Sequence, residues 1–274
     1  MLVLAGGDLV LPNGILTGAS LVIEGGRIAA IEPTSRTDAG GATVVDTREC
    51  YVVPGFIDVH VHGVEGYDTL DPGDPVAAIA SRLPRYGVTA FCPTTVACAP
   101  SELNGVLAQV AQARATRPRR SARVLPAHLE SNFINPAYAG AQPAKCIRLP
   151  ADAPDGTPDA SRGVAHIPRV RDGEFTARDI LDVVAAARPD VGIVTLAPEL
   201  PGGLELVRRL VSAGHRVSIG HSGASVDEAM AAIDAGARHA THLFNRMAPM
   251  THRAPGIAGA ILAREEVAAE LICD

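Results

Sequence analysis

From Gly55 onward the chain alternates short β-branched runs with amphipathic segments, and this alternation restricts the available folds more than any other feature. Strand patterning is expected at 56–62, 88–92, 123–129, 191–196, 216–220 and 238–242. Helical spacing falls at 75–86, 101–115, 176–187, 202–213 and 225–235. Such repetition demands a parallel sheet, either open or closed into an eight-stranded barrel. Polar residues gather at the ends of these runs: His60 and His62, Thr94 and Thr95, His128 and Glu130, Glu199, His221, and His242 with Asn245. Barrel chemistry sits at the carboxyl ends of the strands. Six runs feeding one rim favour a (β/α)8 TIM barrel over an open sheet.

Residues 1–53 read differently. Candidate strands at 2–5, 9–11, 19–24, 27–32 and 43–46 are separated by glycine turns, and Gly25-Gly26 is a hairpin signal. The expected organisation is α/β: residues 1–53 form the N-terminal part of a small β-sandwich domain, and 54–274 form the barrel. Residues 131–175 break the alternation with a stretch rich in Pro, Ala and Gly. A loop of that length is usually functional or disordered, so a lid or substrate loop is expected, with 150–161 its mobile middle. A seventh strand begins at 269–274, so the barrel is expected to be incomplete, with strands one to about seven present.

Composition narrows the function. Net charge is -6 over 274 residues, which argues against nucleic acid or an anionic membrane as partner. The cluster Arg114, Arg117, Arg119, Arg120 and Arg123 reads as a solvated connection. The amino terminus has neither the basic start of a signal peptide nor an apolar run long enough to span a membrane. Five cysteines without a CxxC spacing fit reduced thiols and a cytoplasmic setting.

The densest chemistry lies in Pro54-Gly55-Phe56-Ile57-Asp58-Val59-His60-Val61-His62-Gly63. Side chains two apart share a strand face, so His60 and His62 project together. With Glu130, His221 and His242 they make a nitrogen and carboxylate donor set. That set suits zinc, with iron, manganese or cobalt as alternatives. Singly, His221 or His242 would more often be a satisfied, partly buried histidine. A general base must also be found: Glu199 is one candidate, although a structural role competes, and Asp274 is a weaker one. No other carboxylate stands out at a strand end. Asn245 can hydrogen-bond a sugar or phosphate oxygen. Arg253 is suited to bidentate phosphate recognition, against the simpler reading of a surface arginine.

Residues 54–63 resemble the first-strand signature of the amidohydrolase superfamily. His128-Leu129-Glu130, Thr195-Leu196-Ala197-Pro198-Glu199, Gly220-His221-Ser222, Thr241–Asn245 and Arg253-Ala254-Pro255-Gly256 together resemble, in order and spacing, the N-acetylglucosamine-6-phosphate deacetylase family. The resemblance implies a metal-dependent barrel that hydrolyses the acetamide of N-acetylglucosamine 6-phosphate to glucosamine 6-phosphate and acetate. It places the main metal on Glu130, His221 and His242, and a second ion on His60 and His62. It also implies that backbone around Ala141 and Gln142 meets the sugar, that Asn245 meets the phosphate, and that Arg253 reaches the partner's site in a homodimer.

Several positions depart from the family. Ser131 and Asn132 follow Glu130 where Gly-Pro is usual, Gln142 replaces a common histidine, and Arg246 replaces a common alanine beside the phosphate. The family's acid/base aspartate belongs to an eighth strand, so no catalytic residue of that kind is expected among these residues, and the chain is expected to turn over little substrate. Two other readings are an amidohydrolase for a different N-acyl or cyclic amide, and a non-catalytic remnant that binds metal or sugar phosphate.

Overall fold

A computed structural model describes residues 1–33, 40–116, 118–152 and 174–272. The chain divides into two compact units, Met1–Phe56 and Ile57–Asp274. In the first, β1 (Leu2–Leu11), β2 (Gly14–Glu24), β3 (Arg27–Glu32), β4 (Thr43–Asp46) and β5 (Tyr51–Val52) form one mixed sheet. β1 is central: it pairs antiparallel with β2 and parallel with β4 and β5. The runs at 2–5 and 9–11, read separately in the sequence, are one strand. Gly6 and Gly7 lie in an irregularity of register within it rather than in a turn. Val3, Ala5 and Leu9 alternate onto its buried face, giving one layer of the kind a sandwich is built from. Gly25-Gly26 turns β2 into β3 as the sequence predicts, both glycines having positive φ.

The second unit carries the parallel sheet. β6 (Phe56–Val61) precedes a short hairpin, β7 (Gly63–Val64) with β8 (Tyr67–Asp68). α1 (Pro75–Arg82) then leads to β9 (Val88–Thr95), and α2 (Pro100–Thr116) to β10 (Arg123–Val124) and β11 (Ala127–Glu130). After the 131–175 stretch come α3 (Ala177–Ala186), β12 (Val191–Leu196), α4 (Gly203–Ser212), β13 (Arg216–Ile219), α5 (Val226–Asp234), β14 (His239–Ala240), α6 (Gly256–Leu262) and β15 (Ala268–Ala269). The strand order is β6-β9-β11-β12-β13-β14-β15, with β10 also on β9. Sequential strands are therefore spatial neighbours, the order of a (β/α)8 barrel. Among the described residues β6 and β15 are the outermost strands.

The helices follow from their caps and apolar spacing. Thr176 with Asp179, and Ser225 with Glu228, form complete capping boxes for α3 and α5. Leu206, Val207 and Leu210 of α4 face the core at helical spacing. Three sequence expectations need correction. The strand expected at 123–129 is interrupted at Leu125-Pro126, where proline has no N–H for the ladder. The run expected at 238–242 pairs only over His239–Ala240. α6 was not foreseen, because its run of Gly, Ala and Ile has no polar face to mark a helix. Of the stretch expected to be mobile, Pro150–Asp152 form a 3-10 turn, and 153–161 lie outside the described residues. No described helix is long and apolar enough to cross a membrane.

Candidate metal centre

The rim residues meet at one end of the parallel sheet. His60 lies on β6 and His62 just beyond it, Glu130 ends β11, and His221 and His242 lie just past β13 and β14. Both of the latter histidines have positive φ, 47° at His221 and 30° at His242. An L-residue adopts that conformation only at a cost. Here it turns the backbone at the strand end while both side chains converge on Glu130. His221 Nε2 and His242 Nε2 each lie 2.9 Å from Glu130 Oε1 and 3.1 Å from one another. His62 Nε2 lies 3.3 Å from Glu130 Oε2, and His60 Nε2 is 3.1 Å from His62 Nε2. Donor sets of both kinds, His60–His62–Glu130 and Glu130–His221–His242, have their ligand atoms within 4.8 Å of one another.

The protons decide what this arrangement can hold. His221 Nδ1 donates to Tyr138 O (2.8 Å) and His242 Nδ1 to Asn245 O (3.1 Å). A carbonyl only accepts, so both Nδ1 atoms carry hydrogen and, in the neutral rings, both Nε2 atoms are bare. His60 Nδ1 faces the carboxylate of Glu270 at 2.6 Å, which leaves its Nε2 bare as well. Bare lone pairs therefore point at one another and at a carboxylate, an unfavourable arrangement without a positive charge among them. His62 Nδ1 is buried with no hydrogen-bond partner. The donor set, the convergence of lone pairs and the outward anchoring of the remote nitrogens fit a divalent cation.

Burial pushes the Glu130 carboxyl up, but its contacts with the His221, His242 and His62 rings outweigh it and hold the group well below the usual carboxylate range. Burial lowers His242, yet its bond to Glu130 and the carboxylate's charge leave it above an ordinary histidine.

Three other polar residues complete the surroundings of the cluster. The Gln142 side chain is buried, donates through Nε2 to Glu130 Oε2, and accepts from Ala97 N at 2.7 Å. Its amide thus orients Glu130 and does not face the outside. Glu199, weighed as a general base, accepts from Asn135 Nδ2 (2.9 Å), Ser222 Oγ (2.7 Å) and Gly223 N (2.7 Å). It braces the turn after His221, the structural alternative. Asp274 lies outside the described residues. The expectation that no further carboxylate stands at a strand end is wrong: Glu270, directly after β15, reaches His60. Nothing in its local sequence, Ala-Ala-Glu-Leu-Ile, marks it.

Gly63 fixes the position of His62 from the other side. A Cβ at residue 63 would lie 1.9 Å from Tyr67 O across the β7–β8 hairpin. Gly63→Ala is therefore expected to displace His62 and weaken metal binding at the His60–His62 pair about 10-fold or more, which isothermal titration with zinc will read. An unchanged isotherm would show that His62 is not held by this hairpin.

The residues expected to meet substrate lie near the cluster in the chain but make fewer contacts. Ala141, Asn245, Arg246 and Arg253 are exposed. Arg246, with φ 51°, lies against Gly140, where an added Cβ would come within 2.7 Å of its Nε. Asn245 holds His242 through its backbone carbonyl.

No family model matches the chain. It is 37% identical over 259 residues to the N-acetylglucosamine-6-phosphate deacetylase of Mus musculus, covering 91% of this chain and 56% of the relative. It is 32% identical over 267 residues to the N-acetylgalactosamine-6-phosphate deacetylase of Escherichia coli O157:H7, covering 97% of this chain and 62% of that one. A Mycobacterium smegmatis N-acetyl-D-glucosamine-6-phosphate deacetylase variant, solved with N-acetyl-D-glucosamine-6-phosphate, superposes with a TM-score of 0.77 at 29% identity, over 98% of this chain and 62% of that one. The chain thus spans a little over half the length of the curated relatives it matches. The strand order, the histidine and glutamate cluster at the strand ends and these similarities agree: the chain is an amidohydrolase like the N-acetylglucosamine-6-phosphate deacetylases.

Proposed function

We infer that this chain carries the metal centre and much of the substrate site of an enzyme that removes the acetyl group from N-acetylglucosamine 6-phosphate in the cytoplasm. The observation that carries the reading is the convergence of bare imidazole nitrogens on the Glu130 carboxylate, with each remote nitrogen of His60, His221 and His242 already anchored. Glu130, His221 and His242 would hold the main ion, and His60 and His62 a second. Zinc is the first choice, with iron, manganese and cobalt as alternatives. A divalent ion here would polarise the acetamide carbonyl and bring the pKa of a bound water to about 7.

The protein's own groups supply the rest. Gln142 and the three outward-anchored histidines, His60, His221 and His242, fix the geometry of the ligand atoms before substrate arrives, so little reorganisation remains for the reaction. Backbone at Ala141 and Gln142 would meet the sugar, and Asn245 the phosphate. Arg253, exposed and without an ion pair among the described residues, would reach the site of a second copy in a homodimer. Glu199 and Glu270 are both engaged by other partners, so the proton transfer that completes amide cleavage is assigned to neither.

Arg246 would add a positive charge near the phosphate. Arg246→Ala is expected to weaken binding of N-acetylglucosamine 6-phosphate about 5- to 20-fold and leave unphosphorylated N-acetylglucosamine unaffected. Equal losses for both sugars in a calorimetric titration would remove Arg246 from phosphate recognition.

The reading itself is tested by acetate release in zinc-containing buffer, for this chain and for a form continued past Asp274 to an eighth strand. Substrates are N-acetylglucosamine 6-phosphate, its galactosamine counterpart and the unphosphorylated sugar. Release from a 6-phosphate by the longer form, at least about 100-fold faster than from the unphosphorylated sugar, is the expected result. A zinc-loaded longer form inert toward both phosphates would overturn the substrate and favour a different N-acyl compound.

A further inference from the structure

Glu270 is the group nearest the centre that no role above accounts for. It follows β15, the last strand in the sheet order, and its backbone is sewn to the segment carrying His242: Glu270 N donates to Ala240 O (2.9 Å), and Leu243 N donates to Glu270 O (2.8 Å). Its largely buried carboxylate is divided between two sides. Oε1 accepts from His239 Nε2 at 2.8 Å. Oε2 accepts from His242 N at 3.2 Å and from His60 Nδ1 at 2.6 Å.

The contact with His60 spans the sheet. His60 belongs to β6 and Glu270 to the chain just past β15, the two outermost strands among the described residues. The sheet therefore curls until its two ends meet through this side-chain pair. His128 lies beside them, with its Nδ1 3.8 Å from Glu270 Oε1, but it is not free to act as a ligand. Its Nδ1 donates to Val59 O (2.9 Å), and its Nε2 accepts from Thr195 Oγ1 (2.7 Å). The grouping His60–His128–Glu270, although compact, is thus no third cation site. It is a scaffold with one free product, the orientation of His60.

We propose that Glu270 is a positioning residue: its carboxylate holds the proton of His60 on Nδ1 and so presents a bare Nε2 to His62 and Glu130, completing the second ion position only when the last strand is docked against the first. A hydrogen bond to the remote nitrogen fixes both the tautomer and the ring orientation of a metal-binding histidine. Without it His60 could carry its proton on Nε2, where that hydrogen would occupy the space between the two rings. Because Glu270 also ties down His242 N and His239, it couples both halves of the centre to a single strand end. The proposal rests on the reading of these five side chains as a metal centre, and the test separates the two.

The first arm needs no metal. Nitrogen-15 ring spectra of the metal-free protein at neutral pH report which nitrogen of His60 is protonated, with His60→Gln assigning the signal. The wild type is expected to show protonated Nδ1. Glu270→Gln and Glu270→Ala are expected to shift His60 toward the Nε2–H form. The second arm is zinc titration. Glu270→Gln should weaken the second ion about 10- to 100-fold and the first less than about threefold. His239→Gln removes another partner of Glu270 without touching His60 and should change neither readout. It, together with Glu270→Asp, separates positioning from a general loss of packing. If Glu270→Gln folds and leaves both the His60 tautomer and the zinc isotherm as in the wild type, the proposal is overturned. If the wild type binds no zinc while Glu270→Gln still switches the tautomer, the positioning role stands and the metal reading fails.

Discussion

Glu130→Ala is expected to abolish tight binding of divalent metal by this protein. The carboxylate is the one group shared by both donor sets, with Oε1 toward His221 and His242 and Oε2 toward His62. Loss of a partner that only orients a ligand costs about 10–100-fold in affinity. Loss of the shared anionic ligand should cost more, on the order of 10³-fold for zinc. Removing the carboxylate also leaves its histidine neighbours without a counter-charge, so His242 loses what holds its pKa up in the metal-free variant. Metal content after exhaustive dialysis, read beside the melting temperature of the metal-free form, separates lost ligation from lost folding. A variant that folds and retains its metal would remove Glu130 from the centre.

The second large effect is a pH dependence centred on His128. The residue is fully buried, and burial, reinforced by the neighbouring His60, lowers its pKa to about 3 from an ordinary 6.5. A histidine whose folded pKa is depressed contributes fully above its unfolded pKa, and that contribution is lost as the pH falls below it. Each pH unit of loss is worth about 1.4 kcal/mol. Between about pH 6.5 and 4.5, His128 should therefore remove roughly 2–3 kcal/mol from the metal-free protein.

His242 works the other way. Its folded pKa is raised, so its contribution is present below pH 6.5 and is lost as the pH rises through that folded value. Glu130 and Glu270, both held low, lose their contributions only as the pH falls below the ordinary carboxylate value of 4.5. Comparison with His128→Gln isolates the term. The variant should be about 1–3 kcal/mol less stable than the wild type near pH 7.5, and the gap should close toward pH 4.5. Urea unfolding at several pH values reads it. A gap that stays constant across this range would mean that His128 does not stay neutral in the fold.

The parts of the centre that announce themselves in the sequence are those whose meaning is local. His60 and His62 declare a shared face by their spacing alone, and His221 and His242 stand where apolar runs give way to polar residues. Glu130 is legible for the same reason. What the sequence hides depends on curvature and on loops folding back. Glu270 gains its role only because the last strand is carried round to the first, a relation that no spacing along the chain encodes. Gln142 gains its role because the segment after Glu130 returns beneath it, although a sugar contact was the natural reading of its position. Glu199 misleads in the opposite direction: a carboxylate at a strand end reads as chemistry, but three short hydrogen bonds commit it to a turn. The left-handed backbone at His221 and His242 is likewise unreadable from residue type, since histidine visits it more often than most L-residues but still only in a small minority of positions.

The most direct test of the central claim is anomalous X-ray diffraction, at the zinc edge, from crystals of the protein grown with zinc. The account predicts a strong anomalous peak bounded by Glu130, His221 and His242, and a second, weaker one at His60 and His62. A peak held by other residues, or none at this strand end while zinc is present in the crystal, would contradict it.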